Sequence, residues 1–316
     1  MTIGAPRCGT TSVHFWLHQH PRIYMSVGMK EPSFFAFPER GVSEPLPHPD
    51  PYIRDWSEYT SLFDGATDET VVGESSVLYL QVPEAPSRIM AKLGHIKLLV
   101  LLRDPAERAY SHFLLHRSTN DEPCDSLGEA IAAWTKRSKS GWRINWDYVE
   151  PGYYAEHLSR YFREFGREWV KVVLFDELRL DPNGVLADIC RFVGVSDQFA
   201  FDTSRKLNGS RVPRRTPLAA CASLAIRRQW QCPVSAGASI RSRIAAWLCS
   251  KVTERPTMPV ADRAALIETY RDDIARLEKL IGKDLRAWTE LAPAMPVDFA
   301  FRRADSKSEP EPAANG

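Results

Sequence analysis

Gly4-Ala-Pro-Arg-Cys-Gly9-Thr10-Thr11-Ser12 stands at the front of the chain and runs straight into a helical pattern. Two glycines five residues apart let the backbone curl until successive N–H groups, those of Cys8 and Gly9 included, point at one anion. The helix that follows adds its N-terminal dipole and unpaired donors. Arg7 supplies a fixed positive charge, and Thr10, Thr11 and Ser12 supply hydroxyl donors. The stretch reads as a phosphate-holding turn between a strand and a helix. The plainer alternative is a strand-to-helix turn that needs glycine for its shape alone.

What is missing narrows the ligand. A nucleotide-triphosphatase loop is framed as G-x-x-x-x-G-K-[ST], with its Lys on the β- and γ-phosphates. The frame Gly4 to Gly9 fits, but Thr10 stands where that Lys belongs, and the charge sits earlier at Arg7. This argues against ATP as a phosphoryl donor and for a ligand with a single 5′-phosphate group.

A second segment extends the pattern. Ile96-Lys-Leu-Leu-Val-Leu-Leu102 reads as a strand buried on both faces. Arg103 leaves its carboxyl end, and Ser111 lies about two turns into the helical stretch that follows. Open α/β sheets bind ligands beyond the carboxyl ends of their strands. A guanidinium and a hydroxyl converging there make a second anion pocket. The competing reading pairs Arg103 with Asp104 or a nearby Glu.

Together these segments resemble the sulfotransferases that use 3′-phosphoadenosine 5′-phosphosulfate (PAPS). The resemblance implies that Gly4 to Ser12 holds the 5′-phosphosulfate, with Arg7 where the family carries Lys or Arg. It implies that Arg103 and Ser111 bind the 3′-phosphate. A third match, Lys30-Glu31-Pro32-Ser33-Phe34-Phe35, is similar to the segment carrying the catalytic Glu of the heparan-sulfate type and its bacterial relatives. Leu207-Asn-Gly-Ser-Arg-Val-Pro-Arg214 is similar to the family's late loop over the nucleotide, which puts Lys206 and Arg211 on the cofactor. Glu74 matches a second family acid, open to three roles: orienting the acceptor, sharing the base role, or holding a basic residue. One departure stands beside it. Ser75 occupies the place where the heparan-sulfate type has Lys, so the charge expected there is absent or comes from elsewhere, with Lys30 in view. That puts a heparan-like polyanionic acceptor in doubt.

The remainder of the chain alternates strands and helices. Strands are expected at Arg22–Met25, Val71–Gly73 and Val170–Phe175. Helices are expected at Thr10–Gln19, Trp56–Phe63, Glu84–Leu93, Leu127–Arg137, Gly152–Phe165 and Leu186–Val193. Residues 38–55 read as loop. This alternation indicates an α/β fold, a P-loop-like, mainly parallel sheet flanked by helices on both faces. Leu266, Tyr270, Ile274, Leu277 and Ile281 form one helical stripe within 261–288, a core-facing pattern with Gly282 at odds with it. Residues 1–301 are expected to form one domain. Within it, 205–255 is a basic helical or loop excursion, split between a lid and decoration and open to peripheral contact with an interface. The Pro-rich, polar tail 302–316 reads as disordered.

Composition bounds the partners. The formal net charge of +1 over 316 residues gives no global field toward nucleic acid or a membrane surface. Six cysteines show no paired or metal-ligand spacing and read as free thiols in a reducing compartment. Cys8 has a cationic neighbour and a helix start, which favour a thiolate, against the plainer reading of a small residue tolerated in the loop. No signal peptide or membrane span is evident, so a cytoplasmic location is expected. Only Met1, Thr2 and Ile3 precede Gly4, whereas a strand usually supplies roughly 5–6 residues. The start is therefore expected to be either a very short strand or internal to a longer chain.

The implied chemistry is in-line transfer of a sulfuryl group from PAPS to a hydroxyl or amine of a carbohydrate, lipid or small molecule, with no metal required. Glu31 is the expected general base, with a surface ion pair to Lys30 as its plainer role. His18, His20, His112 and His116 are alternatives, and the i, i+4 pair His112–His116 is expected to pack or face solvent rather than hold a metal. The aromatic stretch 134–154, with Trp142, Trp146, Tyr148 and Tyr153, reads evenly as an acceptor-stacking surface or as packing. Two other readings are carried: a nucleotide kinase with a degenerate phosphate loop, and a nucleotide-binding module without catalysis.

Overall fold

In the computed structural model, residues 1–39, 52–204, 212–213, 253–254 and 256–291 are described. Lys206, Arg211, most of the basic segment 205–255 and the tail 302–316 lie outside the described residues.

The centre of the fold is a three-stranded parallel sheet ordered β1 (Thr2–Gly4), β4 (Leu98–Leu102), β5 (Val170–Leu174). β4 is an uninterrupted Leu/Val run, and all five of its residues are buried. A strand buried at successive positions has both faces covered, as helical crossovers require. β2 (Ile23–Met25) and β3 (Val71–Gly73) form a second parallel pair. The chain just past β3 stitches the pair to β1. Thr2 donates its N–H to the Glu74 carbonyl at 2.9 Å, and Ser76 donates to the Thr2 carbonyl at 3.0 Å. β1 thus lies between the β3 side and β4, where the direction of winding reverses. The segments that leave β1, β3 and β4 meet at this switch point.

Helices α1 (Thr10–Leu17), α2 (Trp56–Ser61), α3 (Ala85–Leu93), α4 (Pro105–Ser118), α5 (Leu127–Lys139) and α6 (Tyr154–Phe165) match the expected elements within a turn. α4 begins as its sequence demands, with Pro105 at the first position and the Asp104 carboxylate accepting from the amides of Ala106 and Glu107.

Three boundaries differ from the sequence reading. The strand expected to reach Phe175 stops at Leu174, and Phe175 instead opens α7 (Phe175–Leu180), because the Glu177 side chain accepts from the Leu174 amide at 2.9 Å. α8 (Pro182–Val193) starts four residues early, since the Asp181 side chain accepts from the Gly184 amide. The last long helix, α9 (Val260–Ile281), does not continue to Trp288. It ends at Gly282, whose φ of 68° is the left-handed conformation that closes helices. Its buried stripe, Leu266, Tyr270, Ile274 and Leu277, packs on α6 and α4.

Candidate active site

The glycine-framed loop is built by close packing. A Cβ on Gly4 would come within 2.7 Å of the Leu80 Cβ. Gly9 caps α1 at φ 90°, and a Cβ there would lie 3.0 Å from the Leu178 Cδ2 and 3.3 Å from the Phe175 ring. Only glycine meets both demands at Gly9. The helix α7, which periodicity did not reveal, is thus the floor on which the loop rests.

Arg7 takes a left-handed φ of 67° and donates from Nε to the Ser111 Oγ at 3.1 Å. The two anion motifs, 104 residues apart, therefore touch. Burial, and after it the charge of Arg103, bring the Arg7 guanidinium down to about 10, so it stays cationic at neutral pH. Arg103 is 6% exposed and lies over the Phe175 ring at 5.0 Å. Its Nη2 pairs with Glu107 at 3.2 Å, the plainer partner anticipated from sequence. Its Nη1 is buried with no hydrogen-bond partner. Arg263 of α9 closes the set by donating to Asp104 at 2.9 Å. A buried guanidinium with an unused donor, set beside a second cation, is suited to an anion.

Glu31 faces the same cleft. Pro6, Arg7, Gly9, Thr10, Thr11, Ser12 and Glu31 line one side of a cavity of about 400 Å³. Lys30 Nζ pairs with Glu31 Oε1 at 2.7 Å and donates to the Thr10 Oγ1 at 3.3 Å. Thr10 holds the place of the nucleotide-triphosphatase lysine, so an ammonium does reach that point, from another segment. The Lys30–Ser33 stretch is pinned from β3. Ser75 donates its N–H to the Lys30 carbonyl at 3.1 Å, and Ser33 donates to the Ser76 Oγ at 2.9 Å.

Several sequence-selected residues lie away from the cleft wall. Glu74 is 1% exposed, and Ser76 donates its hydroxyl to Glu74 Oε2 at 2.8 Å. Burial raises the Glu74 carboxyl to about 7. Ser75 is fully buried, with its hydroxyl 3.0 Å from Nδ1 of His14. The Cys8 side chain turns into the core near the Tyr154 hydroxyl, and burial pushes its thiol up to about 11. The thiolate favoured by its neighbours is therefore not formed, because the cost of burying the anion exceeds the attraction of the nearby arginines. His18 and His20 hold backbone groups of Met25 and Ser196.

His112 and His116 do line the cleft. His116 Nδ1 is 2.8 Å from the Tyr148 hydroxyl, which in turn donates to Glu122 Oε2 at 2.8 Å. Arg137 grips both oxygens of Glu122. Since the Tyr148 proton goes to Glu122, its oxygen accepts from Nδ1–H, which fixes the tautomer of His116. Burial brings His116 down to about 4, so the ring is neutral. Among the described residues no group of three or more His, Cys, Asp or Glu side chains is placed to hold a metal.

The aromatic stretch serves packing more than the cleft. Trp146 stacks on His116 at 4.7 Å, and Arg137 lies over Trp142 at 4.4 Å. Between these rings, Arg143, Ile144 and Asn145 reach the cavity, joined by Tyr52, Val77, Leu78, Gln81 and Leu115. Sequence reasoning missed this second wall. Its members share no motif and meet only because the turn after β3, α4 and the loop before α6 end at one place.

Known proteins resemble this chain in sequence and in fold. A sulfotransferase domain model matches residues 1–208. A crystal structure of a sulfotransferase from Alicyclobacillus acidocaldarius superposes with a TM-score of 0.68 at 32% identity, covering 92% of this chain and 97% of that one. Among curated proteins, the bifunctional heparan sulfate N-deacetylase/N-sulfotransferase 1 of Caenorhabditis briggsae is 25% identical over 222 residues, 67% of this chain and 24% of that protein. The human bifunctional heparan sulfate N-deacetylase/N-sulfotransferase 3 is 26% identical over 216 residues, 65% of this chain and 24% of its own length. The chain thus spans about a quarter of the length of these curated relatives. No helix among the described residues is long and apolar enough to cross a membrane.

Proposed function

The chain belongs to the sulfotransferase family, and we propose that it transfers a sulfuryl group from PAPS to a hydroxyl or amine of an acceptor, in line and without a metal, with Glu31 as general base. The observation that carries this reading is the meeting of Arg7 and Ser111 at 3.1 Å beside a cleft that Glu31 also lines. It supports one ligand held by both anion motifs, a nucleotide with a 5′- and a 3′-phosphate. The unused Nη1 of Arg103 supports the 3′-phosphate end.

The residues divide the work as follows. The amides of Cys8 and Gly9, the hydroxyls of Thr10, Thr11 and Ser12, and the Arg7 guanidinium hold the 5′-phosphate. The acceptor oxygen forms a bond to sulfur while the bond from sulfur to the bridging oxygen breaks. The electron pair stays on the phosphate, leaving 3′-phosphoadenosine 5′-phosphate (PAP). Arg7 and Lys30 stabilise the charge that develops there. Lys30 takes over the charge that Ser75 does not supply. Glu31 accepts the acceptor's proton, help typically worth ~10²–10⁴-fold. Glu74 acts as a strut: through Ser76 it positions the segment carrying Glu31. Lys206 and Arg211 are assigned to the nucleotide through the resemblance of their loop alone. Among the described residues Cys8, Cys124 and Cys190 are free thiols. Carbohydrate, lipid and small-molecule acceptors all fit this reaction.

Calorimetry with PAP, 5′-AMP and ATP, without added metal, tests the reading. Binding that depends on the 3′-phosphate supports it. Binding of ATP but not of PAP refutes it and revives the kinase alternative.

A further inference from the structure

We infer that Gln81 reads the acceptor, and that the acceptor is an uncharged, hydroxylated compound rather than a polyanion. The inference rests on the sulfuryl-transfer reading above. Gln81 lies in the turn after β3, lines the cleft with Glu31, and is 5% exposed. Its Oε1 is buried and has no hydrogen-bond partner among the described residues. Buried polar side chains are nearly always paired, and each exception calls for an explanation. A partner brought by the ligand is the explanation that fits a residue on the wall of the reaction cleft.

The chemistry of the amide limits that partner. A carboxamide donates and accepts without carrying charge, so it matches a hydroxyl, ether or carbonyl oxygen. Apart from Arg143, the rest of this wall has the same character. Asn145 donates to the Tyr52 hydroxyl at 3.2 Å, and His116 presents a neutral ring. Val77, Leu78, Leu115 and Ile144 supply apolar surface. Among the described residues that line the cleft, only Arg7, in the phosphate loop, and Arg143 are cations. A polyanionic acceptor calls for a run of cations across from the sulfur. Mixed apolar and uncharged polar lining suits the carbon faces and hydroxyl edges of a neutral sugar ring or glycoside.

The test uses the full chain with radiolabelled PAPS and three probes: a panel of p-nitrophenyl glycosides, p-nitrophenol, and de-N-sulfated heparan. The highest kcat/KM is expected on a glycoside. Gln81→Leu is expected to raise the KM for that glycoside roughly 3- to 10-fold, the effect of losing one neutral hydrogen bond, with kcat less affected and PAP affinity unchanged. Gln81→Asn, which keeps the amide on a shorter stem, is expected to fall between, and it decides the matter should Gln81→Leu fail to bind PAP. Preference for the heparan polymer or for p-nitrophenol overturns the inference. So does an absence of turnover on every glycoside, or an unchanged KM in the variants. Failure of the wild-type chain to bind PAP overturns the sulfuryl-transfer reading itself and takes this inference with it, so the two failures are told apart.

Discussion

The Nε of Arg7 donates to the Oγ of Ser111 at 3.1 Å, joining the loop that leaves β1 to the helix that follows β4. Two motifs that each read as an independent anion site are thereby one structure. On the proposed reading, Arg7 is the cation shared between the two ends of one bisphosphate.

Arg103→Ala and Ser111→Ala are expected to weaken PAP binding. Hydrogen bonds to charged groups contribute roughly 1.5–3 kcal/mol, which corresponds to about 10- to 100-fold in affinity. Binding of 5′-AMP, which lacks the 3′-phosphate, should change much less in Arg103→Ala. Calorimetry on both nucleotides checks this, and equal losses on the two would remove Arg103 from the 3′-phosphate site.

Glu31→Gln is expected to lower kcat by roughly 10²–10⁴-fold, the usual range for a general base. PAP affinity should hold, because the role proposed for Glu31 is to take the acceptor's proton and not to hold a phosphate. Single-turnover assays separate the two effects. Turnover equal to wild type would move the base elsewhere, with His116 the next group on the cleft wall.

Gly9→Ala tests the floor beneath the loop. Its φ of 90° and the 3.0 Å approach to Leu178 make any side chain strained. A residue held in such a region costs about 1–3 kcal/mol, and each kcal/mol lowers Tm by about 2–4 °C in domains of roughly 150–250 residues and by somewhat less in a longer chain. Differential scanning calorimetry is expected to show that drop, together with weaker PAP binding. An unchanged Tm would mean that α7 yields without cost.

Glu74→Gln isolates a pH-dependent strut. Burial raises the Glu74 carboxyl from 4.5 to about 7, so the folded chain keeps a proton that the unfolded chain releases. Its contribution to stability is therefore complete below about 4.5 and lost as pH rises toward 7, a change on the order of 3 kcal/mol. His14 and His116 act in the opposite sense. Burial lowers them to about 3 and about 4, so their contributions are present above 6.5 and lost as pH falls through those values. The wild-type curve mixes both signs, but the Tm difference between Glu74→Gln and wild type reports Glu74. That difference should shift in favour of the variant between about pH 5 and about pH 7. A difference independent of pH would show that Glu74 is ionised throughout.

Much of the frame is legible in the amino-acid sequence. β4 can be read there because five consecutive apolar residues have one stable place, the middle of a sheet covered on both faces. The turn between β1 and α1 can be read because Gly4 and Gly9 bracket it at a fixed length, with a cation and three hydroxyls beside them. Gly282 already stands out in the stripe of α9, and the fold makes it the helix end. These are local properties, set by backbone geometry and by the period of apolar residues.

What tertiary structure decided was which side chains share a space. Arg7 and Ser111 are 104 residues apart, and their contact exists because β1 and β4 are neighbours in the sheet. The same neighbourhood turned Cys8 and Ser75 into the core, placed Glu74 behind the cleft, and set Gln81 and Asn145 along its far wall. Such choices depend on which strand lies beside which and on how deeply each turn is covered. A carboxylate or a thiol carries the same letters in either place. Burial and its neighbours decide whether it reacts, props up another residue, or packs.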